Sequence, residues 1–172
     1  MRSAWALPDA GATGRLGAAL GRHCPCGPQG PRCLFLSGEL GTGKTTLAAA
    51  LLRVLGVCEV VNSPSYALVE VYPFPRGVAV HVDLYRLGSP DELEQLGLRD
   101  YLRADTLLVI EWPERVQAAL PRPDLQLQLE VAAPGRLCRI EALTPFGEAW
   151  LALVERDMSA APPDAGDPPQ TP

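Results

Sequence analysis

The chain has 172 residues and a mass of 18.4 kDa, the size of one domain or of one domain with a tail. Its 47% apolar and 20% charged content suffices for a buried core and excludes wholesale disorder. Fifteen basic against 20 acidic residues, a net charge of −5 and a pI near 5.0 argue against a protein that clamps naked nucleic acid unaided, because phosphate neutralisation needs a basic face.

In chain order, the start at Met1 to Asp9 holds too short an apolar run for a secretory leader. Asp9, after Pro8, is available as an N-cap and predicts a first helix to about Leu20. Residues 22–31 hold three Pro and two Gly and form a loop. Cys33 to Ser37 is a short apolar run, the pattern of a buried parallel strand. The Ala- and Leu-rich stretch from Lys44 to Leu55, stopped by Gly56, predicts a helix. Ala67 to Tyr72 and Val78 to Leu84 read as strands separated by a turn over Pro73 to Gly77. Ser89 and Pro90 introduce a short acidic helix from Asp91 to Leu96.

Thr106 to Glu111 is a further apolar strand, ending in an acid. Pro113 to Leu120 suits a short helix, and Leu125 to Val131 with Leu137 to Ala142 suits a hairpin. A last helix is expected from about Pro145 to Glu155. Residues 159–172 contain five Pro and no large apolar side chain, which predicts a disordered tail after a single domain spanning 1–158. The alternation of strands and helices predicts an α/β fold, a mostly parallel sheet flanked by helices with a C-terminal β-hairpin and helix. No stretch approaches the roughly 20 apolar residues of a membrane span, so no membrane role and a cytoplasmic location are expected.

Five cysteines, an odd number without a leader, predict reduced thiols. His23-Cys24-Pro25-Cys26 with Cys33 invites a zinc reading. The Cys-x-Cys spacing and the lack of an obvious fourth ligand favour a loop that merely carries thiols.

The chemistry is concentrated at Gly38-Glu39-Leu40-Gly41-Thr42-Gly43-Lys44-Thr45, followed by Thr46, which satisfies the phosphate-loop pattern Gly-x4-Gly-Lys-[Ser/Thr]. Glycines let the backbone curl so that amides point at phosphate oxygens, and the following helix adds its positive end. Lys44 would reach the β- and γ-phosphates, and the Thr45 hydroxyl is placed to ligate Mg2+. Fourteen of the 15 basic residues are Arg, and Lys44 is the only lysine, a compact ammonium where a guanidinium would not fit. In the empty loop that ammonium is expected to face water, so its removal should cost little stability.

Such a loop needs a second acid at the end of a neighbouring strand. Glu111 and Asp83 both qualify, and the pattern leaves open which would ligate the metal and which would act on water. His81 is either a proton carrier or a satisfied core residue. The Asn-Lys-x-Asp that reads guanine is absent, so adenine is the expected base. The Arg pairs 99/103 and 136/139 are only weak candidates for the lid of a small-molecule kinase.

Four patches carry a family resemblance: Leu7-Pro8-Asp9 with Ala12-Thr13 and Gly17; Ser37 through Thr46; Ser63-Pro64-Ser65-Tyr66 with Leu68-Val69-Glu70; and His81-Val82-Asp83-Leu84-Tyr85-Arg86 followed by Glu111-Trp112-Pro113-Glu114. Together they resemble the TsaE (YjeE) family, small bacterial ATPases of tRNA threonylcarbamoyladenosine synthesis. The resemblance spans Leu7 to about Ala142. It implies a P-loop NTPase-like fold, ATP with Mg2+, and action beside TsaB and TsaD at adenosine 37, with tRNA held through that complex. By position it implies a triphosphate on Gly38 to Thr45, Mg2+ at Thr45 and Glu111, and Asp83 near the γ-phosphate or its water. Thr13 and Arg136 would lie near the base. Ser63, Ser65 and Tyr66 would form a switch-like loop, with Trp112 beside the catalytic acid. Ser65 stands where the family usually has Thr. A nucleotide-gated binding module fits the same resemblance, and a small-molecule kinase is the weaker alternative.

Overall fold

The computed structural model describes residues 1–27 and 30–160. Its elements are β1 (Arg2–Leu7), α1 (Ala10–Arg22), β2 (Arg32–Ser37), α2 (Lys44–Leu55), β3 (Val69–Phe74), β4 (Gly77–Asp83), α3 (Pro90–Gln95), β5 (Thr106–Glu111), β6 (Leu125–Ala132), β7 (Gly135–Ala142) and α4 (Pro145–Ala160). Short 3-10 turns occupy Leu98–Tyr101, Pro113–Arg115 and Gln117–Ala119. No helix among the described residues is long and apolar enough to cross a membrane.

The seven strands form one sheet in the order β1-β7-β6-β2-β5-β4-β3. Parallel pairing is confined to the centre, where β2 lies between β5 and β6 and β4 lies on β5. Both flanks are antiparallel, so the sheet is mixed. The apolar interiors of β2 (Cys33 to Leu36) and β5 (Leu107 to Ile110) follow from this central position, since helices or turns cover both of their faces. Leu34, Leu36, Leu107 and Val109 face a core built with Leu16, Leu20, Leu47, Leu51 and Trp150 of α1, α2 and α4. The alternate residues Phe35, Leu108 and Ile110 face a second core with Leu93, Leu98 and Val116.

Helices α1 and α2 approach closely because α1 presents glycines. A Cβ on Gly17 would lie 2.3 Å from the Leu47 carbonyl oxygen, and one on Gly21 would lie 2.5 Å from that of Leu51. The expected cap holds: the Asp9 side chain accepts the Ala12 amide at 2.6 Å.

Several bounds differ from the sequence expectations. β1 has no counterpart among them, and it is an edge strand whose order comes from pairing with β7. β3 runs on through Pro73 to Phe74, which an edge strand permits because the missing amide need not serve a ladder. The helix expected over Pro113 to Leu120 is instead two 3-10 turns. Val116 separates them at φ −146°, with its side chain drawn into the second core. Helix α4 continues past Glu155 to Ala160, so the expected tail loses its first two residues to a helix. The remainder of that tail, 161–172, lies outside the described residues.

Candidate functional site

The loop that follows β2 turns back through three glycines at positive φ: Gly38 at 137°, Gly41 at 79° and Gly43 at 101°. These values are where side chains are strained, which accounts for glycine at each. Gly38 is doubly required, since a Cβ there would stand 2.2 Å from the Leu129 carbonyl oxygen on β6. The Thr42 hydroxyl closes the loop by donating to the Glu39 carbonyl at 2.8 Å. Gly43 caps α2 without any side-chain hydrogen bond, so the first amides of that 12-residue helix are left for another acceptor.

Lys44 departs from expectation. It is 4% exposed, not water-facing. Its Nζ donates to the carbonyls of Gly38 at 2.6 Å and Glu39 at 2.9 Å, and it lies 3.9 Å from the centre of the Trp112 ring. Burial lowers its pKa from the usual lysine value, opposed by the carboxylates of Glu111, Asp83 and Glu114. A charge folded back on its own loop is poised to exchange carbonyl oxygens for stronger acceptors.

The two acids arrive by strand alternation. Residues 79, 81 and 83 of β4 share a face, as do 107, 109 and 111 of β5, and Ala79, Leu107 and Val109 point to the core under α2. Asp83 and Glu111 are therefore on the α2 side, and they are direct register partners. Glu111 is 2% exposed and accepts the Thr45 hydroxyl at 3.0 and 3.2 Å. Asp83 accepts the Ser63 hydroxyl at 2.5 Å and the Tyr85 amide at 3.0 Å. The structure thus separates the acids by partner: Glu111 with Thr45, Asp83 with the 63–66 loop.

A cleft of about 260 Å³ gathers Leu40, Gly41, Gly43, Lys44, Thr45, Thr46, Ser63, Asp83, Glu111, Trp112 and Arg136. Arg136 and Thr13 come from β7 and α1 and flank Gly43, each 3.4 Å from where its Cβ would be. Thr13 is fully buried behind the loop, whereas Arg136 lines the cleft with its Nε lacking a hydrogen-bond partner among the described residues. Glu39 and Leu40 are exposed, Leu40 at the rim of the cleft. Ser65 is half-buried, and Tyr66 is 85% exposed beneath the Arg86 guanidinium at 4.3 Å. Trp112 holds the uncommon φ of 59°, and its ring lies 4.9 Å from that of Tyr85.

Two contacts escape sequence reasoning. His81 is completely buried, with Nε2 2.9 Å from Glu111 Oε1 and Nδ1 without a hydrogen-bond partner among the described residues, so its ring steadies the acid. The stacking of Lys44 on Trp112 is the other. The two-residue spacing of His81 and Asp83 signals that they share a strand face; nothing in the spacing brings Glu111 to His81 or Trp112 to Lys44.

These residues suit a polyphosphate with a divalent cation. Uncapped helix amides, a buried ammonium and an unpartnered arginine nitrogen supply donors, while Thr45, Glu111 and Asp83 supply oxygens for a hard cation.

The family model described as "Threonylcarbamoyl adenosine biosynthesis protein TsaE" matches residues 7–138. The chain belongs to the TsaE family. That match takes in every cleft residue named above and leaves most of β1, the end of β7 and α4 outside it. Among TsaE relatives, the tRNA threonylcarbamoyladenosine biosynthesis protein of Haemophilus influenzae is 40% identical over 115 residues, 67% of this chain and 73% of that protein. The TsaE protein of Bacillus subtilis is 34% identical over 122 residues, 71% of this chain and 75% of its own length. The crystal structure of YdiB from Bacillus subtilis shares the fold, with a TM-score of 0.72 at 22% identity over 91% of this chain and 94% of that one.

Proposed function

We propose that this TsaE-family chain is a Mg2+-dependent ATPase that serves N6-threonylcarbamoyladenosine formation at position 37 of tRNA, acting beside TsaB and TsaD. Membership of a family named for threonylcarbamoyladenosine biosynthesis supports the pathway. The observation that carries the chemistry is the Thr45–Glu111 contact, at 3.0 and 3.2 Å, beside the register pair of Glu111 with Asp83.

Each residue then has a task. The Thr45 hydroxyl donates its hydrogen bond to Glu111, which leaves its oxygen lone pairs available to a cation. Mg2+, when bound, would neutralise charge on the phosphate oxygens. Lys44 would release the Gly38 and Glu39 carbonyls and turn to the triphosphate, while the first amides of α2 hold its oxygens. Asp83, fixed by Ser63 and the Tyr85 amide, would orient the attacking water. Arg136 fits the nucleotide flank of Gly43.

Leu40, 76% exposed on the lining of the cleft, and Tyr66, 85% exposed three residues after the lining residue Ser63, support docking of a protein partner over it. The net charge of −5 favours tRNA contact through that partner and not through this chain alone. The test is phosphate release from ATP by the purified protein, with Mg2+ or a chelator, with and without TsaB, TsaD and tRNA. Chelator-sensitive hydrolysis that the partners accelerate is expected. Hydrolysis indifferent to chelation, or transfer of phosphate to a small-molecule acceptor, would overturn the assignment. A Glu111→Gln protein that binds ATP without hydrolysing it yet sustains full modification would instead favour the nucleotide-gated binding module.

A further inference from the structure

The loop between α1 and β2 lies at the end of β2 opposite Gly38, and the proposed ATPase has no use for its thiols. Cys24 Sγ and Cys26 Sγ are 2.8 Å apart. Cys24 is 3% exposed, set just past the end of α1 with its amide bonded to the Gly21 carbonyl at 3.3 Å. Cys26 is half-buried, packed on the edge of the same core. Between them Pro25 stiffens the backbone, and its carbonyl is pinned by Arg32 Nε at 3.2 Å.

The two sulfurs are not equivalent. The Cys24 S–H stabilises a thiolate on Cys26, and the charges of Arg76 and Arg32 add to this, so the Cys26 pKa falls below the ordinary thiol value against the opposing effect of burial. The Cys26 thiolate and burial push Cys24 up, so the shared proton belongs on Cys24. Cys138, wholly buried, is pushed up to about 12 and is inert, while Cys33 is buried in the opposite core. Cys58 is exposed. An accessible low-pKa thiol against a buried partner is the arrangement of a reactive cysteine with its resolving cysteine.

A metal fits less well. Two Zn–S bonds of about 2.3 Å at a tetrahedral angle hold the sulfurs roughly 3.8 Å apart. Among the described residues no group of three or more His, Cys, Asp or Glu could complete such a site. A disulfide needs the sulfurs to close to about 2.05 Å.

We propose that Cys24 and Cys26 form a peroxide-oxidised dithiol centre, with Cys26 as the attacking thiolate and Cys24 as the resolving thiol. Cys26 takes one oxygen from hydrogen peroxide, giving a sulfenic acid and a hydroxide that gains a proton to become water. The Cys24 sulfur then attacks Cys26 Sγ. The S–S bond forms, and the sulfenic hydroxyl leaves with the Cys24 proton as a second water. Two thiols lose two electrons, and one peroxide becomes two waters.

The sequence provides a clean readout. Trypsin cuts after Arg22 and Arg32, so His23–Arg32 carries both sulfurs and excludes Cys33, Cys58 and Cys138. The full-length protein is treated with limiting peroxide, blocked with N-ethylmaleimide and digested for mass spectrometry. The peptide is expected to lose two hydrogens, to take up no maleimide, and to regain both thiols with dithiothreitol, while Cys58 remains alkylated. Cys24→Ser should arrest Cys26 as a sulfenic acid that dimedone traps, and Cys26→Ser should leave Cys24 reduced. The proposal is overturned if both cysteines of the peptide are alkylated at a dose that oxidises Cys58. It is equally overturned if urea-unfolded protein forms the same disulfide as fast as folded protein, or if Cys24→Ser yields no dimedone adduct.

Discussion

Replacing Lys44 by Ala tests the folded-back ammonium described above. The change removes two hydrogen bonds from a charged donor, at 2.6 and 2.9 Å, each worth about 1.5–3 kcal/mol. It also removes a contact with the Trp112 ring at 3.9 Å, worth about 1–2 kcal/mol when water is excluded. Opposing this, the variant no longer has to bury a charge, a burden visible in the lowered Lys44 pKa and costing several kcal/mol in similar settings. The Glu39 carbonyl still receives the Thr42 hydroxyl. A net loss of about 2 kcal/mol follows, and at about 2–4 °C per kcal/mol for a chain this long the melting temperature should fall by about 4–8 °C. Lys44→Met, which keeps an apolar stem near Trp112, should fall less. Thermal denaturation by circular dichroism without nucleotide reads this directly. A Lys44→Ala protein melting within about 1 °C of the parent would show that the carbonyls do not hold the ammonium. In the same proteins, titration with Mg-ATP should show binding lost in both variants, and unchanged affinity would remove Lys44 from the site. Because the only lysine is buried, an amine-reactive ester should modify the N-terminal amine first and Lys44 only after unfolding.

Glu111→Gln should keep nucleotide binding and lower Mg2+-dependent hydrolysis by about 100-fold or more; if it hydrolyses normally while Asp83→Asn does not, the two acids exchange roles. Gly17→Ala should lose about 1–3 kcal/mol in urea denaturation because its Cβ would press on the Leu47 carbonyl. Gly14→Ala in the same helix meets nothing within 4 Å and should gain about 0.5–1 kcal/mol; equal effects at the two positions would refute the close approach of α1 and α2. Tyr66→Ala should leave the melting temperature and the basal hydrolysis rate unchanged and reduce the stimulation by TsaB and TsaD, read as phosphate release at saturating ATP.

Local signals carried much of this molecule. The strand–loop–helix around Gly38 to Thr45 is written in neighbouring residues: an apolar run, glycines where φ turns positive, then Ala and Leu to Gly56. The acids at the ends of β4 and β5 are legible because each closes a largely apolar run with a carboxylate. What was not legible depends on distant partners. β1 contains only the short run Ala4-Trp5-Ala6-Leu7 after Arg2 and Ser3, and only Arg136 to Glu141 gives it a ladder. The burial of Lys44 required knowing that Trp112 crosses over it, and spacing says nothing of that. For His81 the sequence supports two readings, because its partner, Glu111, is 30 residues away on another strand.

The pairing of β1 with β7 sets an order of events during synthesis. Residues 2–7 leave the ribosome well before their partners, residues 136–141. At about 5–20 residues per second, the first strand waits roughly 7–27 s for its neighbour. Over the same interval the glycine-rich loop has been made but not seated, because Gly38 rests on the Leu129 carbonyl and the flank of Gly43 is formed by Arg136. A nascent chain halted near residue 120 would carry the whole Gly38 to Thr45 motif and both acids without the surface that shapes them. Competence of the loop is thus conferred late, by the β6–β7 hairpin made about 90 residues after it.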